Sequence, residues 1–326
     1  MGNRTSIEWT RGEDGKPGST WNPYRGTKGS FHCTKVSPGC QSCYAETYNI
    51  RGLHGKSLPF KVGVDKIRID DDALLLPLRW QRPRKVFVNS MSDTFHETVP
   101  AEQIARLFAV MALAHRQTFL VLTKRSERAR RCLSDVAFWY EVAEWEKTIA
   151  LRLGSKPRPL SRMRISLTGG LPNVWIGASV ENQEWFDKRI DHLRATPAAI
   201  RFLSMEPLLG AIDVREKLDG ISWCIVGGES GRNARPMGAK WATDIIEQCG
   251  AAGVARHFKQ WGEWLEIDLQ HYLKAPLRGD SRDGRRVKFD GEWRELRETM
   301  GGAFVRMGKK AAGRQINGRE WNEFPE

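Results

Sequence analysis

Six short apolar runs recur along the chain, far enough apart for a helix to fit between neighbours: residues 86–89 (VFVN), 119–123 (FLVLT), 174–179 (VWIGAS), 201–204 (RFLS), 223–227 (WCIVG) and 255–259 (ARHFK). They are near-continuous rather than alternating in polarity. A strand reads this way when both of its faces are buried, as in a parallel sheet covered by helices. The intervening segments carry helical periodicity. Pro100 opens one helix, where a missing N–H costs nothing, and Ile104, Leu107, Phe108 and Met111 fall on one face at i, i+3, i+4 and i+7. Another places Trp241, Ile245 and Cys249 on one face, which makes Cys249 a core residue; Cys224 in its apolar run and Cys132 read the same way. The expected fold class is α/β, a full or partial parallel (β/α) barrel, with an open doubly wound sheet as the alternative.

In a barrel the chemistry gathers at the C-terminal ends of the strands. Polar residues stand there after every run: Asn89, Ser90, Ser92, Asp93 and His96; then Thr123, Lys124 and Arg125; then Ser179, Glu181 and Asn182; then Ser204 and Glu206; then Gly227, Gly228, Glu229 and Ser230; then Lys259, Gln260 and Trp261. Residues about 127–172 form an insertion too long for a plain connection. It contains a helix over 134–153 and a basic stretch, Lys156, Arg158, Arg162 and Arg164. The expected division is a barrel over 1–267 and a basic C-terminal extension over 268–326. The extension carries Arg282, Arg285, Arg286 and Lys288, then Arg306, Lys309 and Lys310, with Asn317–Gly318 as a hairpin turn.

Before the first run lie three cysteines, Cys33, Cys40 and Cys43, spaced C-x6-C-x2-C. Three thiolates this close suit one iron–sulfur cluster, which normally takes four cysteine ligands and here would keep one iron open. A structural zinc would need a fourth ligand, with His32 or His54 at hand. A disulfide with one thiol left over is the third reading. The formal net charge of +13 favours a polyanionic partner, nucleic acid first. No apolar run approaches the ~20 residues that span a bilayer, and the N-terminus lacks the apolar core of a signal peptide. A reducing cytoplasmic setting is expected, with no membrane partner.

These landmarks together resemble a family of phage-associated three-cysteine-motif proteins treated as radical-SAM-like. The resemblance runs over Ile7-Glu8-Trp9-Thr10, Thr20-Trp21-Asn22-Pro23, Cys33 to Glu46 and the segment Val88 to His96. It continues through Leu122-Thr123-Lys124-Arg125, Val180-Glu181-Asn182-Gln183, Leu203 to Leu208, Gly227 to Gly231, Ala234 to Met237, Phe258 to Gly262 and Gly308 to Arg314. Two departures stand out. The cysteine spacing is not C-x3-C-x2-C, and residues 27–32 intervene where the family brings its first cysteine directly after the WNP-x-x-G segment. Cys43-Tyr44-Ala45 and Thr123-Lys124 are also similar to spore photoproduct lyases, which act on thymine lesions in DNA.

The resemblance implies an enzyme with a four-iron, four-sulfur cluster on Cys33, Cys40 and Cys43, and S-adenosylmethionine on the open iron. Reductive cleavage would yield a 5′-deoxyadenosyl radical acting on nucleic acid, in DNA base modification or lesion repair. Asn89, Ser90, Ser92 and Asp93 would then receive the cofactor's amino group, and Lys124 or Arg125 its carboxylate. Ser179 and Asn182 would reach the ribose. Gly227 and Gly228 would admit the cofactor to the backbone, with Glu229 as acceptor. Lys124 and Glu206 are the catalytic candidates. A dedicated partner protein is implied as well. Two alternatives remain open: a non-catalytic binding protein with a structural cluster or zinc, and a radical enzyme acting on a small molecule or peptide.

Overall fold

The computed structural model describes residues 3–12, 14–26, 30–51, 67–154, 169–268, 277–278, 286–299 and 302–325. His54, the basic stretch at 156–164, Arg282 and Arg285 lie outside them. The chain forms two compact units. One comprises Met1–Ser179, Asp187–Ser204 and Asp219–Ser222; the other comprises Val180–Phe186, Met205–Leu218 and Trp223–Glu326.

The first unit is built on parallel strands β1 (Ser19–Trp21), β2 (Lys85–Val88), β3 (Thr118–Thr123), β4 (Val174–Ser179) and β5 (Ile200–Met205), which pair in that order. Val88 pairs with Val121, Val121 with Ile176, and Ser179 with Ser204, so the polar residues that follow the strands emerge at one end. The strands are apolar on both faces because both are covered: Val86, Val88, Phe119, Leu120 and Val121 are fully buried. Gly177 is a glycine because a Cβ there would stand 2.4 Å from the Phe202 ring.

Its helices are α1 (Tyr44–Ile50), α2 (Ala101–Leu113), α3 (Ser126–Ser134), α4 (Val136–Arg152) and, from Asp187 on, α5 (Gln183–Arg194), whose first turn belongs to the second unit. The expected α2 stripe is buried throughout. Each such side chain contributes about 1.5–3 kcal/mol of burial free energy. Phe108 of α2 meets Phe138 and Trp139 of α4 edge-on, with centroids 5.5 and 6.0 Å away. The helix expected over 134–153 begins at Val136, because Asp135 leaves helical geometry and caps it, accepting from the Ala137 N–H at 2.9 Å.

The second unit holds the parallel pair β6 (Trp223–Gly227) and β7 (Ala255–Gln260) with α6 (Ala239–Ala251) between them. Cys224 and Cys249 are both fully buried, as the apolar pattern requires. An antiparallel sheet follows, made of β8 (Trp264–Ile267), β9 (Leu277–Arg278), β10 (Arg286–Phe289), β11 (Glu292–Thr299) and β12 (Gly302–Arg306). Asn317 and Gly318 both have positive φ, 53° and 73°, and Ile316 and Arg319 exchange backbone hydrogen bonds across them. That is the tight hairpin turn Asn-Gly favours. Seven parallel strands with helices between most of them confirm the α/β class, and their number matches a partial rather than a complete eight-stranded barrel.

Candidate functional site

The cysteine loop is clamped at both ends. The Phe31 N–H donates to Asn49 Oδ1 at 3.1 Å, and Asn49 Nδ2 donates to the Phe31 carbonyl at 3.0 Å, tying the loop to α1. Cys40 closes the one-turn helix Pro38–Cys40, its Sγ 3.9 Å from Ser37 Oγ. Cys43 is the N-cap of α1, so its sulfur faces the backbone N–H groups of Ala45 and Glu46. Lys35 holds the loop to α1 through Glu46 at 2.7 Å.

The loop is held just as firmly to the ends of β2 and β3. Asp93, buried beyond β2, accepts from Thr123 Oγ1 at 2.7 Å, the Phe95 N–H at 2.9 Å, the Lys124 N–H at 3.0 Å and Arg125 Nη1 at 3.1 Å. Arg125 spends its other donors on Glu97 at 2.7 Å and on Thr34 Oγ1 at 2.7 Å. Its Nη1 also lies 4.0 Å from Cys33 Sγ. Thr34 Oγ1 in turn meets His96 Nε2 at 3.1 Å. A chain of charge-assisted bonds thus runs from the two strand ends to the residue after Cys33 and to its sulfur.

Electrostatics follow from this burial. Burial opposes ionisation of Asp93, but Arg125, the Thr123 hydroxyl and the two N–H groups outweigh it and hold the carboxyl below its ordinary value. His96 is pushed down to about 4 by burial and by Arg125, so it is neutral at pH 7. Cys33 is pushed up to about 12 by burial, against the pull of Arg125; Asp93, Cys43 and Cys40 push the same way. Burial also raises Cys43, against its two N–H partners and Lys124. Cys33 therefore feels both other sulfurs, and Cys43 feels Cys40 and Lys124.

The donor set can be tested against the groups the sequence implies. None of the six cysteines is in a disulfide. A single zinc brings sulfurs to roughly 3.8 Å of one another at tetrahedral angles and 2.3 Å bonds. Among the described residues no three His, Cys, Asp or Glu side chains converge in that way. An iron–sulfur cluster takes cysteine thiolates on separate irons, and Cys33, Cys40 and Cys43 supply that donor chemistry within one anchored loop. Beside it, two buried atoms at the end of β2 lack hydrogen-bond partners, Asn89 Oδ1 and Ser92 Oγ. Asn89 holds a left-handed φ of 50° there. Buried polar atoms are nearly always paired, and this acceptor and hydroxyl are what a ligand donor would use. Ser90, by contrast, donates to Asn22 Oδ1 at 3.2 Å, and Met91 N–H donates to the same atom at 2.9 Å.

Other candidates have different roles. Arg125 is occupied by the carboxylates of Asp93 and Glu97, and Lys124 lies close enough to act on Cys43. Ser179 is buried, and its carbonyl accepts from Arg189 at 2.7 Å.

In the second unit, Asn182 caps the start of α5, its Oδ1 accepting from the Trp185 N–H at 3.2 Å. Glu229 is buried and grips Arg235 in a fork at 2.6 and 2.8 Å, rather than offering an open acceptor. Gly228 admits the chain itself: a Cβ would stand 2.1 Å from the Trp261 carbonyl oxygen. Gly227 packs against Glu206 and Lys259. Glu206 forms an ion pair with Lys259.

Sequence reasoning passed over Thr34, Glu97, Asn22 and Lys259 as site residues. Thr34 and Asn22 sit inside the motifs already singled out, and Lys259 at a strand end, so position was the available signal.

The residues so far define an α/β protein with a three-thiol loop locked onto the C-terminal ends of two parallel strands. The chain belongs to the family described as a protein of unknown function (DUF5131), which matches residues 4–325. No curated protein matches it. Among solved structures it is similar to a spore photoproduct lyase complexed with a dinucleoside spore photoproduct, at 10% identity over 93% of this chain and 72% of that one, with a TM-score of 0.39. It is also similar to a GH18 chitinase from Cycas revoluta in complex with (GlcNAc)3, at 13% identity over 70% and 81%, with a TM-score of 0.24. Likenesses this distant carry no argument about chemistry. Among the described residues no helix is long and apolar enough to cross a membrane.

Proposed function

We propose that this chain is a radical-SAM-type iron–sulfur enzyme acting on nucleic acid, DNA first. The observation that carries the reading is the anchoring of the cysteine loop at the ends of β2 and β3 by Asp93, Arg125 and Thr34. Cys33, Cys40 and Cys43 would hold a four-iron, four-sulfur cluster. Asn89 Oδ1 and Ser92 Oγ would receive the amino group of S-adenosylmethionine, and Lys124 its carboxylate. When bound, cluster and cofactor together supply one-electron cleavage of a carbon–sulfur bond and hence a carbon radical. The protein's own part is to fix the loop, to keep His96 neutral beside it, and to place cations near groups that become negative. A nucleic-acid substrate is supported by the net charge of +13, since cationic patches release the counterions of a phosphate backbone. Lys124 and Glu206, the latter ion-paired with Lys259, are proposed as catalytic residues; a dedicated partner protein belongs to the same proposal.

The test is anaerobic reconstitution with iron and sulfide, followed by dithionite and S-adenosylmethionine, with 5′-deoxyadenosine as the readout. Product that disappears in the Cys33→Ala/Cys40→Ala/Cys43→Ala variant supports the reading. A protein that holds its full iron yet cleaves no cofactor, with or without DNA, sinks the enzyme and leaves a structural cluster. Tightly bound zinc in place of iron removes the radical chemistry. For the substrate, log affinity for duplex DNA should fall with log salt by about 0.9 per phosphate contact.

A further inference from the structure

Helix α1 begins at Cys43, and its two faces are unlike. Ala45 and Asn49, four residues apart, are buried. The opposite face carries Tyr44, Thr47, Tyr48 and Arg51 at i, i+3, i+4 and i+7, all exposed. A solvent face of this kind ordinarily carries charged or small polar side chains. Here it carries two tyrosines, 49% and 47% exposed, with Ile50 alongside at 46%. No carboxylate lies among the exposed residues of α1; Glu46 is turned aside to Lys35 at 2.7 Å.

The aromatic pair is ordered. The Tyr44 hydroxyl donates to the carbonyl of Ser90 at the end of β2, which fixes that ring beside the cysteine loop. Tyr48 stands edge-on to it, with centroids 6.3 Å apart and planes at 85°. Arg51 closes the stripe at its far end, and Lys35, 45% exposed, lies on the loop side.

From this placement we infer that Tyr44 and Tyr48 form a stacking platform for an unpaired base of a single-stranded or flipped nucleotide, with Tyr44 as buttress and Tyr48 as the face. The inference rests on the nucleic-acid reading above and deepens it. Exposed aromatic faces beside cations are how proteins hold single strands without reading sequence, since every base offers a π-face. A base drawn out of a duplex needs such a surface near the reacting centre. The platform's position, directly after the third cysteine, would deliver that base to the cysteine loop.

The experiment uses the full chain and two fluorescein-labelled strands of equal length, one of deoxythymidines and one of abasic spacers that keep sugars and phosphates. Affinity is read by anisotropy at several salt concentrations. The wild-type chain should bind the base-bearing strand more tightly. Tyr48→Ala should weaken that binding about tenfold, within the range base–aromatic stacking supplies, and leave the abasic strand and the salt slope unchanged. Tyr48→Phe should bind like the wild type. An unchanged affinity in Tyr48→Ala, or an equal loss on both strands, overturns the platform while the nucleic-acid reading stands. If neither strand binds even at low salt, the nucleic-acid reading fails and takes the platform with it.

Discussion

Asp93 is the residue on which the geometry of the cysteine loop turns, and replacing it tests the whole anchoring scheme. Its carboxylate satisfies four donors, two from backbone and two from Thr123 and Arg125, in a place that water does not reach. Asp93→Asn keeps the shape but removes the charge, and its amide turns a donor towards groups that are themselves donors. Arg125 would retain Glu97, but that side chain is 58% exposed and its attraction is screened. Breaking one side of a buried pair costs about 3–5 kcal/mol, mostly because the surviving charge is left uncompensated. At about 2–4 °C per kcal/mol for a unit of this size, the first unit should melt roughly 6–20 °C lower.

Because the chain forms two units, a global melt would mix two transitions. Hydrogen exchange on the metal-free protein, resolved over 85–100 and 118–134, isolates the right one. Arg125→Met should cost a similar amount. The double variant should cost far less than the sum, because each single change orphans the partner that the other removes. Strictly additive losses, or an Asp93→Asn cost below about 1 kcal/mol, would refute the idea that this pair anchors the loop.

Three further outcomes follow from the same structure. His96 is held at about 4 in the folded chain, below its ordinary 6.5, by burial and Arg125; the unfolded chain protonates first, so stability is intact above pH 6.5 and falls by up to about 3 kcal/mol as pH drops towards 4. Urea titrations across that window should show the slope in the wild type and a flatter one in His96→Gln. Gly228→Ala must push its Cβ away from the Trp261 carbonyl, 2.1 Å distant; a loss of at least about 1–3 kcal/mol is expected, seen as faster limited proteolysis after residue 205. Asn182→Ala removes the cap of α5 and should cost about 0.5–2 kcal/mol in thermal unfolding, whereas a residue reserved for cofactor would leave the melt of the unliganded chain unmoved.

Six of the seven parallel strands were legible in the sequence because burial on both faces leaves a continuous apolar signature that needs no partner to be recognised; the three-residue β1 (Ser19–Trp21) is too short to leave one. The runs 174–179 and 223–227 coincide with β4 and β6, and the others differ by one residue at one or both ends. The end of the sheet that the candidate residues occupy was legible for the same reason: a polar residue directly after a buried strand has one end of the sheet to occupy. The roles within it were not. Whether Arg125 meets a ligand or Asp93 depends on a contact 32 residues away, and Thr34 reaches His96 across 62. Glu229 and Asn182 look open in sequence only because their partners, Arg235 and the first turn of α5, act through backbone conformation that composition does not record.

That difference bears on how a cofactor would be held. Burial leaves Cys33 a protonated thiol in the bare chain, yet Arg125 stands 4.0 Å from its sulfur and Lys124 acts on Cys43. Both attractions would strengthen if the sulfurs were thiolates bound to iron, since metal binding releases their protons. Asp93 and Glu97 offset the charge of Arg125 until then. In the proposed assignment this lets one arginine serve as anchor and charge partner while the neighbouring lysine receives the cofactor's carboxylate.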